Sequence, residues 1–262
     1  MIKDMPIMLS MRSLPRTILA APLTLALALA LSACGPAEKD GLASLEGDAV
    51  AAIAPPAGQA WADTVTVTNE GGYVIGNPDA PLKLVEYASL TCGACANFAQ
   101  QATEPLKEKY VASGVVSWEL RNQIHDPFDL TMAMLVRCGD PSGVHPLSEQ
   151  VWANLEGIFG TIQSNENAVK AAMELSDQTR RYKAIADATE LTQFFAARGI
   201  STEQSAVCLA KTETAETIVK QSEQQSKELE VEGTPTFFLN GQKLDAKSWA
   251  QLEPILQKAG AR

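Results

Sequence analysis

Cys92-Gly93-Ala94-Cys95 places two thiols three positions apart in a chain of 262 residues, near enough to close a small disulfide ring. If a helix begins there, the first sulfur lies where backbone N–H groups lack partners and the helix dipole favours an anion, so its thiolate is stabilised. Such a thiolate is both a nucleophile and a good leaving group, and the exchange of one disulfide for another needs both. Cys95, one turn deeper, is then the resolving thiol, and the small Gly93 and Ala94 leave the S–S bond open to an incoming sulfur. Two other uses of the pair compete with this one. Half of a zinc site would need a second close ligand pair, which Cys138, Cys208, His125 and His145 do not supply, so no metal is expected. A purely structural ring would have no reason to stand between a central strand and a helix.

The flanking sequence supplies both elements. Leu82-Lys83-Leu84-Val85-Glu86-Tyr87 is mostly apolar, as a buried central strand is, and its end runs straight toward Cys92. Phe98, Ala102, Leu106 and Tyr110 then recur every four residues, marking one face of a helix that Pro105 should kink. Tyr73-Val74-Ile75 reads as a short strand, and the alternation of Val116, Trp118 and Leu120 as another with one buried face. From Asp126, which caps a helix opened by Pro127, the period is helical for about a hundred residues. Ser201 and Gln204 have capping-box spacing ahead of a helix carrying Cys208, and a polar helix covers about Thr214 to Lys227. Strand pattern returns in Thr236-Phe237-Phe238-Leu239, with Asn240-Gly241 as a hairpin turn and a last helix from Ala246 to Lys258. Strands, then helices, then strands again describe an α/β domain interrupted by a helical insertion at about 126–228. His125 and His145 read as helix-entry or surface residues, and Met132 and Met134 as core.

Leu84-Val85-Glu86-Tyr87-Ala88-Ser89, the Cys92–Cys95 pair, and the distant Val231-Glu232-Gly233-Thr234-Pro235-Thr236-Phe237-Phe238-Leu239-Asn240-Gly241 together resemble the DsbA-like branch of the thioredoxin superfamily. The resemblance covers about Gly72 to Gly260 and implies a thioredoxin-like central sheet with an inserted helical domain. It implies a thiol:disulfide oxidoreductase whose only redox group is its own disulfide, with no further cofactor. By the same resemblance, Pro235 is the cis-proline facing the catalytic pair, and Thr234 the residue whose backbone pairs with a substrate chain. Glu86 matches a carboxylate buried beneath the active site, where it would exchange a proton with Cys95; the other reading of Glu86 is a solvated edge position. Some relatives carry a second, non-catalytic disulfide in the insertion, which implies a bridge between Cys138 and Cys208. The chain departs from the strongest oxidants of the branch, which carry Pro-His between the cysteines. Gly-Ala removes one source of thiolate stabilisation and leaves the direction of electron flow open.

The ends and the bulk composition set the context. Arg12 and Arg16 precede a Leu- and Ala-rich run from Ile18 to Leu31, a basic region followed by an apolar one of signal-peptide length. It ends in Leu31-Ser32-Ala33-Cys34-Gly35, which resembles the lipobox of bacterial lipoproteins and implies cleavage before Cys34 and a lipid on its sulfur. The expected division is a lipoprotein signal peptide over 1–33, a flexible Pro- and Gly-containing tether over 34–66, and a DsbA-like domain over 67–262. Of 31 acidic and 21 basic side chains, the leader holds one and three, leaving 30 and 18 in the remainder. So acidic a body will not bind nucleic acid or an anionic lipid surface through bulk charge. Four cysteines beyond Cys34, an even set behind an export signal, suggest two disulfides. The expected place is the periplasm-facing cell envelope, lipid-anchored or else soluble, with exported proteins as substrates and an unidentified redox partner. Disulfide formation on those proteins leads; an envelope reductase or isomerase is the alternative, and a copper-binding or chaperone lipoprotein a more distant one.

Overall fold

A computed structural model describes residues 45–262 of the protein. The signal-peptide and lipidation expectations, Cys34 included, lie outside the described residues. Six strands form one mixed sheet in the order β1-β2-β4-β3-β5-β6. They are β1 (Val65–Val67), β2 (Tyr73–Ile75), β3 (Leu82–Ala88), β4 (Val116–Asn122), β5 (Thr236–Leu239) and β6 (Gln242–Lys243). The central pair β3 and β4 is parallel, with Leu84 opposite Trp118, and every other pairing is antiparallel. A parallel neighbour requires a crossover, which α1 (Gly93–Pro105) provides, beginning at the cysteine pair. α1 ends on Pro105, whose missing N–H breaks the i to i−4 ladder. The chain goes on as a π-type turn over Leu106–Val111, with the Ala112 N–H donating to the Lys107 carbonyl. The kink expected at Pro105 is thus a change of hydrogen-bond register. Among the described residues, β4 differs from expectation in burying both faces, since Ser117 and Glu119 on the second face are covered as well. Glu119 is held there by Arg121 and by the Thr68 hydroxyl.

Between β4 and β5 the chain builds the helical insertion. It contains α2 (Pro127–Val136), α3 (Val144–Ala153), α4 (Leu155–Ser164), α5 (Glu166–Met173), α6 (Gln178–Ala188), α7 (Leu191–Ala196), α8 (Thr202–Leu209) and α9 (Thr212–Glu228). Ser201 and Gln204 form the reciprocal capping box at the start of α8. Cys138, just past α2, and Cys208, in α8, are joined in a disulfide. After β6, α10 (Trp249–Lys258) packs Leu252 and Leu256 against Leu84, Phe98 and Phe237 beneath the sheet. The Asn240-Gly241 turn has positive φ at both residues, the left-handed geometry a two-residue hairpin demands.

Residues 45–66 depart from the tether expected over 34–66. Leu45 and Trp61 are buried, Val65–Val67 adds an edge strand to the sheet, and the intervening chain lies on the body. The N–H groups of Gly47, Val50 and Ile53 donate to the carbonyls of Lys258, Gly260 and Ser113. Close approach is enforced by size, because a Cβ on Gly260 would sit 2.4 Å from the Asp48 carbonyl oxygen. This strap is held by backbone hydrogen bonds rather than by an apolar period, which is why its composition reads as a linker.

Candidate active site

Cys92 is the N-cap of α1, in extended conformation, and its sulfur accepts a hydrogen bond from the Cys95 N–H at 3.3 Å. That is the position in which an unpaired helix N–H stabilises an anion. The loop ahead of β5 closes over the same sulfur. The Thr234 carbonyl lies 3.3 Å from Cys92 Sγ and accepts from the thiol when it is protonated, and the Thr234–Pro235 peptide is cis. Both cysteines are reduced; Cys92 is half-buried and Cys95 fully buried. Hydrogen bonding from the Cys95 side chain, then from Thr234 and from the backbone N–H groups of Cys95 and Ala94, holds the Cys92 thiol down to about 5, against partial burial. Burial does the opposite to Cys95, with the Cys92 contact and the negative charges of Glu86 and Cys92 pushing its thiol up further. One sulfur of the pair is therefore half-buried and favoured as the thiolate, and the other sheltered and favoured as the thiol.

Beneath them Glu86, 1% exposed, sits on the apolar face of β3. The register that sets Leu84 opposite Trp118 brings the Trp118 indole N–H to Glu86 Oε2 at 3.0 Å, while Oε1 has no hydrogen-bond partner. Burial pushes Glu86 up to about 8 despite the indole bond, and the nearby charges of Cys92 and Glu149 act in the same direction. Between the two readings of Glu86, the structure selects the buried one. The Trp118 ring packs edge-on against His145, whose Nε2 donates to the Tyr73 carbonyl at 2.7 Å. His145 stands at the entry of α3 but is buried rather than on the surface, and burial lowers its pKa to about 4.

Glu86 gives a pH signature. Below about 4.5 native and unfolded chains both hold its proton; between 4.5 and about 8 only the native chain does, so stability falls as pH rises. Above about 8 the loss is complete. Glu86→Gln removes this slope, so the variant should gain stability relative to the parent by an amount that grows from pH 5 to pH 8, to on the order of 3 kcal/mol. Urea unfolding of both proteins at the two pH values measures it. A pH-independent difference would mean that Glu86 is not protonated in the native state.

Other residues of the site were not singled out from sequence. Trp118 shows itself only once the β3–β4 register is known. Asp129 lies in the first turn of α2, three residues past the Asp126 cap, and that spacing was the one available signal. Among the described residues no group of three or more His, Cys, Asp or Glu side chains is arranged to hold a metal ion.

The thioredoxin family profile matches residues 68–258. A crystal structure of a protein-disulfide isomerase from Novosphingobium aromaticivorans is 30% identical, with a TM-score of 0.68 over 72% of this chain and 97% of that one. Wolbachia pipientis alpha-DsbA1, 21% identical with a TM-score of 0.58 over 74% and 93% of the two chains, shares the fold. Curated proteins of Rickettsia bellii and Rickettsia typhi, provisionally named protein-disulfide oxidoreductases, are 24% and 25% identical over 73% and 71% of this chain. The alignments span only 65% and 61% of those relatives' length. The central sheet, the crossover helix that starts at a cysteine pair, and the helical insertion are the DsbA-like form of the fold, and the chain belongs to the thioredoxin family.

Proposed function

We propose that the protein is a thiol:disulfide oxidoreductase working through Cys92 and Cys95, and that its prevailing direction is to donate a disulfide to other proteins. The observation that carries this reading is the asymmetric placement of the pair, with Cys92 capping α1 against the Cys95 N–H and Cys95 buried beneath it, an arrangement that lowers Cys92 to about 5 and raises Cys95. A stabilised thiolate favours the reduced enzyme, and so makes the oxidised ring the stronger disulfide donor. In place of a histidine between the cysteines, thiolate stabilisation comes here first from the Cys95 side chain, then from Thr234 and backbone N–H groups.

In the donating direction a client thiolate attacks Cys92 Sγ of the ring, the Cys92–Cys95 bond breaks, and Cys95 leaves with its electron pair. Protonated Glu86 supplies the proton that neutralises it. A second client thiolate then attacks the client sulfur of the mixed disulfide and expels the Cys92 thiolate. Run backwards, the same steps reduce a client disulfide, with Glu86 taking the proton from Cys95. The Thr234 carbonyl, already against Cys92 Sγ, is a backbone acceptor that an extended client segment can pair with as its sulfur arrives. Cys138 and Cys208 take no part in the exchange.

The leader and the Ser32-Ala33-Cys34 boundary support a bacterial envelope location with a lipid on Cys34 and exported proteins as clients. No helix among the described residues is long and apolar enough to cross a membrane. Cys34→Ala should release the protein from the membrane fraction, and its retention there would count against the lipid. The activity is tested by equilibrating the Cys92–Cys95 pair with glutathione and following oxidative refolding of a reduced client. A pair more oxidising than the glutathione pool, with stoichiometric disulfide transfer, is expected. A strongly reducing pair that cleaves client disulfides would reverse the direction, and no exchange either way would overturn the function.

A further inference from the structure

The turn that presents Cys92 is held from outside α1. In β3's continuation, the Leu90 N–H donates to Asp129 Oδ1 at 2.8 Å. The other oxygen of that carboxylate, Oδ2, accepts from the His125 N–H at 3.0 Å. Asp129 is wholly buried, in the first turn of α2, so one side chain spans the β3–α1 turn and the β4–α2 turn. Asp126, the α2 cap, repeats the link at the surface, where its Oδ2 accepts from the Thr91 hydroxyl at 3.0 Å. Ser89 and Thr91 hydroxyls lie 3.0 Å apart, and the Trp152 indole N–H donates to the Ser89 carbonyl. Every residue from Ser89 to Thr91 is thus tied to the helical insertion just before the reactive sulfur.

We propose that Asp129 is a positioning residue for Cys92, its buried carboxylate fixing the 89–92 turn so that the sulfur meets the Cys95 N–H at the helix tip. Both carboxylate oxygens accept from backbone N–H groups, an arrangement only the ionised form satisfies fully. Burial raises the pKa to about 7, while the Ser89 side chain and the His125 and Leu90 N–H groups favour the charged form. A wholly buried carboxyl group committed to two backbone bonds in adjacent turns is costly to desolvate, and what it returns is the fixed geometry of those turns. The inference rests on Cys92 being the attacking sulfur.

Asp129→Asn tests it, because an amide offers one acceptor where two N–H groups point. Loss of positioning weakens thiolate stabilisation, so the Cys92 midpoint, followed by thiolate absorbance in the reduced protein, should rise by about one pH unit or more, a tenfold fall in the ionisation constant. A mere through-space effect of removing a negative charge would move the midpoint down. Thr131→Val, which deletes a buried hydroxyl bonded to the Pro127 carbonyl on the same helix, is the control for simple destabilisation and should leave the midpoint in place. If Asp129→Asn does not fold, Thr91→Val, uncharged and partly exposed, should give a smaller rise of the same sign. An unmoved or lowered midpoint in the folded variant overturns the proposal. A parent protein whose Cys92 already titrates as a free thiol would instead overturn the function above it.

Discussion

Cys92→Ser is expected to abolish thiol–disulfide exchange, by at least about a thousandfold, while leaving the fold and the Cys138–Cys208 bridge intact. A serine hydroxyl is neither ionised at neutral pH nor able to form the mixed disulfide through which both directions pass. Cys92 caps α1 with its side chain and is half-buried, and serine is itself a good cap, so the helix start has no reason to fray. Cys95→Ser should behave differently. Cys92 can still attack a client disulfide, but the sheltered thiol that would resolve the product is gone, so a covalent enzyme–client adduct should accumulate. Non-reducing electrophoresis after incubation with a disulfide-bonded client distinguishes the two variants. An adduct formed equally by Cys92→Ser, or none with Cys95→Ser, would show that the order of attack is wrong.

The second large effect concerns stability. Cys138–Cys208 bridges residues 70 apart and encloses α3 to α7, and in the chain-entropy account closing a loop of that length stabilises by about 4 kcal/mol. Replacing both cysteines with alanine should lower the unfolding free energy by roughly that amount, which urea titration measures. Exchange by the folded remainder should be unchanged, since neither sulfur contacts Cys92. A loss below about 1 kcal/mol would mean that the insertion is held chiefly by its packed core, including Met132, Leu135, Ile185 and Phe195.

Much of this site could be read from the sequence because its signals are local. The strand into Cys92, the four-residue period after it, the Asn240-Gly241 turn and the Ser201–Gln204 box are each written within a dozen residues. The strap over 45–66 could not be read this way, because its backbone N–H groups bond to carbonyls about 60 and 210 positions away. Glu86 shows the same limit from within a well-read strand. One carboxylate among apolar residues does not say which way it points, and only the β3–β4 register supplies the Trp118 indole that meets it. Asp129 was legible as a first-turn acid of α2, but its two bonds join turns that the sequence separates by more than thirty residues. The family resemblance carried Thr234 to the neighbourhood of Cys92, and the structure sets its carbonyl against the sulfur.

Those contacts make one claim above the rest: at neutral pH the outer sulfur is an anion before any client arrives. Titrating the reduced protein while following thiolate absorbance, with the Cys92→Ser variant subtracted, isolates that sulfur. A midpoint near 5 is the expected result. A midpoint at about 8.5, that of a free cysteine, would contradict it.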